Sequence, residues 1–155
     1  MNRAFERLGL FSGDLASRIH LVKGHFEDTL PSHTLKISLV DQTQTRNDII
    51  AMLRMDGDIY SSTNVVLRCL CLHVSTGGWI VVDDYDWTDG KNHSGRPLYP
   101  RRMTVDRYRL IHGVTEPLKR AIEGKYTPVS WVKNNTISAV RNSECKIGDY
   151  FGASF

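Results

Sequence analysis

The sequence predicts an α/β domain built on a mostly parallel sheet, with an antiparallel hairpin near the C-terminus. Two apolar stretches of strand length, residues 49–55 and 79–82, each run directly into acidic residues. Between them lies a stretch with the helical spacing of apolar residues, long enough for about four turns. Strand, helix and strand in this order form a right-handed crossover, which makes the two strands parallel.

Further elements are predicted on either side of this crossover. Ser61, Ser62 and Thr63 offer N-caps for the central helix, and Thr76-Gly77-Gly78 is expected to end it. The other predicted elements are a strand at 18–24, a loop or helix start at 25–31, an extended loop at 86–103, a helix at 104–112, a helix start at 117–122, and hairpin strands at 129–133 and 137–141.

The composition is that of one globular domain. The chain has 155 residues, of which 41% are hydrophobic and 24% charged, and its net charge is +3. No apolar run approaches the roughly 20 residues of a membrane span and no N-terminal signal stretch is present, so we expect a soluble, cytoplasmic protein without a membrane partner. Cys69, Cys71 and Cys145 are expected to be reduced. Residues 96–125 hold eight basic and three acidic residues, which a solvated surface explains better than nucleic-acid binding.

Four carboxylates follow the two apolar strands: Asp56, Asp58, Asp83 and Asp84. Parallel strands end at the same edge of a sheet, which is where ligands of open α/β sheets bind. Carboxylates crowded there repel one another unless protons or a cation neutralise them. Oxygen ligands without a neighbouring His or Cys favour Mg²⁺ over zinc. The sequence therefore predicts a magnesium site, with Asp58 as an extra carboxylate able to act as a base.

Other interpretations of these acids stay open at this point. A single acid at a strand end is commonly a helix N-cap or a loop residue. The order of acids also fits a haloacid-dehalogenase-like magnesium phosphatase, with Asp56 as nucleophile and Asp58 as acid, although the chain lacks the lysine and serine or threonine elements expected of that pattern. Tyr85 and Trp87 follow the second pair of acids and are candidates to contact a substrate.

Five segments of the chain also stand out together. They are Gly24-His25-Phe26-Glu27-Asp28-Thr29-Leu30-Pro31, Leu53-Arg54-Met55-Asp56-Gly57-Asp58-Ile59-Tyr60-Ser61-Ser62-Thr63, Gly77-Gly78-Trp79-Ile80-Val81-Val82-Asp83-Asp84-Tyr85, Val105-Asp106-Arg107-Tyr108-Arg109 with His112-Gly113-Val114, and Val129-Ser130-Trp131-Val132-Lys133. In this order they resemble blocks of the macrocin O-methyltransferase family. The second is similar to the family's Leu-Arg-Leu-Asp-Gly-Asp-Leu-Tyr-Glu-Ser-Thr.

This resemblance implies a Rossmann-like class I methyltransferase fold and an Mg²⁺-dependent O-methyltransferase. The methyl group would come from S-adenosylmethionine, and the partner would be a small molecule with a hydroxyl acceptor, such as a sugar or another natural product. Asp56, Asp83 and Asp84 resemble the metal ligands of the family, and Asp58 matches its proposed general base. The chemistry agrees with the magnesium site and base inferred from the acids alone.

The chain also departs from the family pattern. The family's first two strands and its glycine-rich cofactor turn have no counterpart in this sequence, so residues 1–155 are expected to form one truncated methyltransferase domain. Residues 32–47 and the 86–103 loop are longer than the pattern. A non-catalytic methyltransferase fragment is therefore the alternative to an enzyme. The strand at 49–55 would keep an unpaired edge, which favours aggregation or pairing with a partner such as a second copy.

Overall fold

The computed structural model describes residues 21–32, 50–57, 59–88, 90–91, 93–95, 98–121 and 128–134. Within these ranges the elements are α1 (residues 26–32), β1 (Ile50–Met55), α2 (Tyr60–Leu70), a 3₁₀ turn (Cys71–His73), β2 (Val74–Val82), α3 (Pro100–Ile111), β3 (Lys119–Arg120) and β4 (Val129–Val132). Asp58 and the predicted hairpin strand at 137–141 lie outside the described residues.

The described strands form one mixed sheet in the order β1-β2-β4-β3. β1 and β2 run parallel, with Met55 opposite Val82, and α2 connects them, which confirms the predicted crossover. β4 runs antiparallel to β2, and β3 antiparallel to β4. The expectation of a mostly parallel sheet is therefore wrong for the described part of the chain, because β4 lies between β2 and β3 and runs opposite to both, joined to β3 by a short connection rather than by a crossover helix.

One face of this sheet forms the core. Alternate residues of each strand point to it, because side chains along a strand alternate between the two faces. Leu53, Ile80 and Trp131 are nearly completely buried there. α2 and α3 contribute Leu67 and Val105 to the same cluster, and both of these side chains are fully covered. The two helices thus enclose the apolar face of the sheet.

The pair Gly77-Gly78 lies inside β2 rather than at the end of the preceding helix. β2 begins already at Val74, so the expected glycine stop is wrong. A Cβ added at Gly78 would lie 2.8 Å from the Ser75 carbonyl oxygen and 3.0 Å from that of Ala51. Gly78 therefore lets the backbone of β1 approach β2 closely, and Gly77 has a φ of +82°, which favours glycine.

The end of the helical segment is bound by a buried lysine that follows β4. The Nζ of Lys133 donates to the carbonyl oxygens of Cys71 at 3.3 Å, Leu72 at 3.1 Å and Val74 at 2.6 Å. Lys133 is 4% exposed. Carbonyls at a helix end have no partner within the helix, and a cation there also interacts favourably with the helix dipole. Lys133 thus stabilises the end of the helical segment, a role that the sequence-based prediction gives to the glycine pair.

Three further expectations are wrong. α3 begins at Pro100 rather than at residue 104, because proline is well suited to the first turn of a helix, and the extended loop is shorter accordingly. Residues 119–120 form a strand and not part of a helix, since they pair with Val129 and Ser130. Cys69 is disulfide-bonded, whereas Cys71 is free and buried.

The segment before β1 also differs from its prediction. Residues 21–24, the described part of the expected strand at 18–24, are not in a strand, and residues 26–32 are helical through Pro31. No helix in the described ranges, this one included, is long and apolar enough to cross a membrane.

Candidate functional site

Asp56 and Asp83, the first acids after β1 and β2, lie at the same edge of the sheet, as predicted. Met55 and Val82 lie opposite each other as the last residues of their strands, so Asp56 and Asp83 leave the sheet side by side. The backbone N–H of Asp83 donates to the Met55 carbonyl at 2.9 Å, which extends the pairing by one residue. This is the carboxyl edge at which open α/β sheets bind their ligands.

The turn after β1 is anchored through the carbonyl of Gly57. Arg101 of α3 donates to it from Nε at 2.8 Å, and the Thr63 hydroxyl of α2 donates at 3.3 Å. Arg101 is only 3% exposed and Thr63 only 1%. Two helices therefore hold the short segment that carries Asp56.

The predicted N-caps of α2 act differently. The helix begins at Tyr60 after Ile59, which has no side chain that could cap it. The Thr63 hydroxyl points back toward the Gly57 and Ile59 carbonyls instead of bonding to a backbone N–H ahead of it. The prediction of a cap at Ser61–Thr63 is thus wrong, because Thr63 already lies within the first helical turn.

Asp83 and Asp84 lie in a turn at residues 83–86. Asp84 has a φ of +52°, a left-handed conformation that is uncommon outside glycine and that Asp tolerates better than most residues. Its carbonyl accepts a hydrogen bond from the N–H of Trp87 at 2.9 Å, which closes the turn.

Asp83 is ion-paired with Arg54 of β1. Both Nε and Nη2 of Arg54 approach the same oxygen, Oδ2, at 2.7 and 2.6 Å. The hydrogen bond and the charge of Asp83, and to a lesser degree the charge of Asp56, raise the pKa of Arg54 above its ordinary value. The guanidinium therefore lies within the electrostatic field of both acidic turns.

Tyr85 connects the second turn to α3. Its hydroxyl donates to Asp106, and the guanidinium groups of Arg102 and Arg120 lie 5.8 and 5.7 Å from the centre of its ring. Burial, followed by the hydrogen bond to Asp106, raises the pKa of Tyr85. Because Tyr85 is 3% exposed, the expectation that its ring contacts a substrate is wrong. Trp87 is partly exposed and keeps that prediction.

The sequence-based predictions missed two arginines of this region. Arg101 belongs to the basic stretch that the sequence predicts to be a solvated surface, yet it is buried. Arg54 offers a signal, since it precedes Asp56 by two residues and residues two apart in a strand point the same way. To predict its contact with Asp83, one must also know the register between β1 and β2.

The predicted metal ligands suit Mg²⁺ by their chemistry but not by their arrangement. Asp56, Asp83 and Asp84 offer only oxygen donors, as Mg²⁺ prefers. Across the described ranges, however, no group of three or more His, Cys, Asp or Glu side chains is placed to hold an ion. Asp83 is instead bound to Arg54. The proposed base, Asp58, lies outside the described residues.

A parallel strand pair joined by a helix defines the chain as an α/β protein, a class whose open sheets bind ligands beyond the carboxyl ends of the strands. The comparison with protein families makes this assignment specific. The sequence profile described as Macrocin-O-methyltransferase (TylF) matches residues 1–133. The chain belongs to this family, which confirms the resemblance of its five segments.

Curated relatives are natural-product O-methyltransferases. The 8-demethyl-8-(2,3-dimethoxy-alpha-L-rhamnosyl)-tetracenomycin-C 4'-O-methyltransferase of Streptomyces olivaceus is 31% identical over 82% of this chain and 37% of its own length. Demethyldecarbamoylnovobiocin O-methyltransferase of Streptomyces niveus is 39% identical over 67% of this chain and 31% of its own. Mycinamicin III 3''-O-methyltransferase of Micromonospora griseorubida is 29% identical over 76% and 36%. The chain thus spans about a third of the length of these relatives.

Solved structures show the same fold. The O-methyltransferase NovP superposes with a TM-score of 0.56 at 28% identity, over 86% of this chain and 43% of NovP. CalS11, a TDP-rhamnose 3'-O-methyltransferase from calicheamicin biosynthesis, superposes with a TM-score of 0.51 at 21% identity, over 85% of this chain and 51% of its own. These similarities support an α/β methyltransferase fold for the chain.

Proposed function

We propose that this chain is the acceptor-side portion of an S-adenosylmethionine-dependent O-methyltransferase that methylates a hydroxyl of a sugar-bearing natural product. The family match over residues 1–133 supports the reaction class. The observation that supports the carboxyl edge of the sheet as the place of the reaction is the pairing of β1 and β2, which brings Asp56 and Asp83 side by side. The names of two relatives, which methylate at 4'-O and 3''-O positions, support a sugar hydroxyl as the acceptor.

The proposed roles of the acids follow from their positions. Asp58 would take up the proton that the acceptor hydroxyl releases as its oxygen bonds to the methyl carbon. Asp56, Asp83 and Asp84 would hold Mg²⁺, which, when bound, lowers the pKa of a coordinated hydroxyl. Gly57, whose carbonyl is held by Arg101 and Thr63, would keep the segment between Asp56 and Asp58 in place. Partly exposed Trp87 is the proposed contact for the acceptor ring.

The first experiment asks whether this chain binds the methyl donor. Calorimetric titration with S-adenosylmethionine in the presence of MgCl₂ should give saturable binding if the chain retains a cofactor site. The absence of binding would assign the chain to the alternative, a non-catalytic methyltransferase portion. The phosphatase alternative loses its basis, because the family to which the chain belongs is one of methyltransferases.

The second experiment separates the roles of the acids in methyl transfer from radiolabelled S-adenosylmethionine to a rhamnosyl-bearing aromatic acceptor. Asp58→Asn should lower the rate at saturating Mg²⁺ by about 10²- to 10⁴-fold, because a general base typically contributes this much. Asp56→Asn should instead weaken Mg²⁺ binding, so the two variants serve as controls for each other. Asp58→Asn with an undiminished rate would contradict the assignment of the base.

A further inference from the structure

The Arg54–Asp83 pair follows from the sheet register. Arg54 lies opposite Val81, and Asp83 follows Val81 by two residues, so Asp83 is a diagonal neighbour of Arg54 on the same side. A long side chain spans such a diagonal. The side chain of Arg54 is 67% exposed, whereas that of Asp83 is 16% exposed. The solvated partner is therefore the arginine, and the partly buried one is the aspartate.

Arg54 and a divalent cation would neutralise the same carboxylate. Oδ2 of Asp83 accepts both short contacts from the guanidinium, and charge-assisted bonds of this kind are among the stronger hydrogen bonds in proteins. A guanidinium beside the acids also repels any second cation. Asp56 and Asp84 form no ion pair within the described part of the chain. One of the three proposed ligands is thus occupied by an internal cation.

We propose that Arg54 is an internal competitor of the divalent ion at Asp83. The guanidinium neutralises the aspartate while no ion is bound, and it moves into solvent when Mg²⁺ is bound. This inference rests on the proposed magnesium site. It explains why acids of the right chemistry are not assembled as a ligand set in the described structure. It also makes Arg54, on a strand rather than in a loop, a determinant of ion affinity.

The test measures ion binding and needs no activity. Mn²⁺ is titrated into the protein at low salt, with free Mn²⁺ followed by electron paramagnetic resonance and MgCl₂ used as the competitor. Arg54→Met preserves most of the length of the side chain and removes its charge. We expect it to lower the Kd for Mn²⁺ roughly threefold to tenfold, the scale of an exposed ion pair together with a nearby like charge. Arg54→Lys, which keeps the positive charge, should restore most of the wild-type Kd.

Arg120→Met is the matched control. Arg120 is also an exposed arginine paired with an aspartate, Asp86, so its removal subtracts the same charge beside a carboxylate that is not a proposed ligand and that keeps Arg102 as a second partner. Its Kd should stay within about twofold of wild type, because exposed charges beyond direct contact are screened. Thermal unfolding of each variant verifies that all are folded.

The outcomes separate this inference from the proposed site. If Mn²⁺ binds, and Asp56→Asn weakens its binding, but Arg54→Met leaves the Kd unchanged or raises it, the competition is refuted and the ion site stands. An equal tightening in Arg54→Met and Arg120→Met also refutes it, because the effect is then one of net charge. If neither wild type nor Arg54→Met binds Mn²⁺ saturably, the ion site itself is refuted and the competition with it.

Discussion

Replacing Lys133 by methionine should destabilise the fold far more than the same replacement of an exposed lysine. Methionine preserves most of the buried stem but removes the ammonium that donates to the carbonyls of Cys71, Leu72 and Val74. A hydrogen bond contributes about 0.5–1.5 kcal/mol net, and a buried carbonyl left without a donor adds its desolvation cost. Three such contacts at a site that is 4% exposed give an expected loss of about 2–4 kcal/mol.

The assay is urea unfolding followed by circular dichroism, with the midpoint and the m-value fitted together. Lys119→Met is the control, because Lys119 is an exposed lysine whose Nζ lies 5.6 Å from the ring centre of Trp79. It should lose less than about 1 kcal/mol, the scale of an exposed cation–π contact. If Lys133→Met lost no more than this control at an unchanged m-value, the assignment of Lys133 as the stabiliser of this helix end would be refuted.

Three further predictions concern a thiol, a glycine and an arginine. Burial raises the pKa of the Cys71 thiol from 9.0 to about 12. The folded state keeps the thiol protonated while the unfolded state loses its proton above pH 9, so the free energy of unfolding falls as the pH rises from about 9 to 12. Between about pH 8 and 10 the wild type should lose about 1.4 kcal/mol more in urea unfolding than Cys71→Ala; equal losses would contradict the burial effect. Gly78→Ala should cost about 1–3 kcal/mol in the same urea unfolding, because its Cβ would overlap the Ser75 carbonyl oxygen and the Val74 side chain; a loss near zero would show that the two strands can separate to make room. In urea unfolding, Arg101→Met should cost about 1–3 kcal/mol, because the Gly57 carbonyl loses the Nε donor of Arg101 and keeps only the Thr63 hydroxyl. A loss no larger than that of Lys119→Met would mean that Thr63 alone suffices to hold the carbonyl.

The crossover and the meeting of the acids were predictable because both depend on local pattern. An apolar run that ends in acid marks the end of a strand, and a helix between two such runs makes the strands parallel. The position of Asp56 beside Asp83 then follows from topology without any knowledge of individual side-chain contacts. The structure confirms the parallel pairing that places the ends of β1 and β2, and the first acid after each, side by side.

The contacts that hold the site were not predictable in the same way, because they join distant parts of the chain. Arg101 reaches Gly57 across 44 positions, and Lys133 reaches Cys71 across 62. Both side chains are charged, and charged residues are rarely buried unless they are paired, so the composition alone assigns them to the surface. Gly78 is misleading for a related reason: a close approach between strands and a helix end both favour glycine, and only the register of β1 against β2 distinguishes them.

Arg101, Arg102 and Asp106 give α3 contacts with both acidic turns. Arg101 holds the turn after β1 at Gly57, while Asp106 accepts from Tyr85 and Arg102 pairs with Asp86 in the turn after β2. The distance between the two turns is consequently set by one rigid helix as well as by the sheet. We expect the connection at residues 88–99 to tolerate insertions and deletions. The contacts that set the spacing of the two turns come from α3, which begins only at Pro100. The length of that connection is then free to vary while the geometry of the acids stays the same.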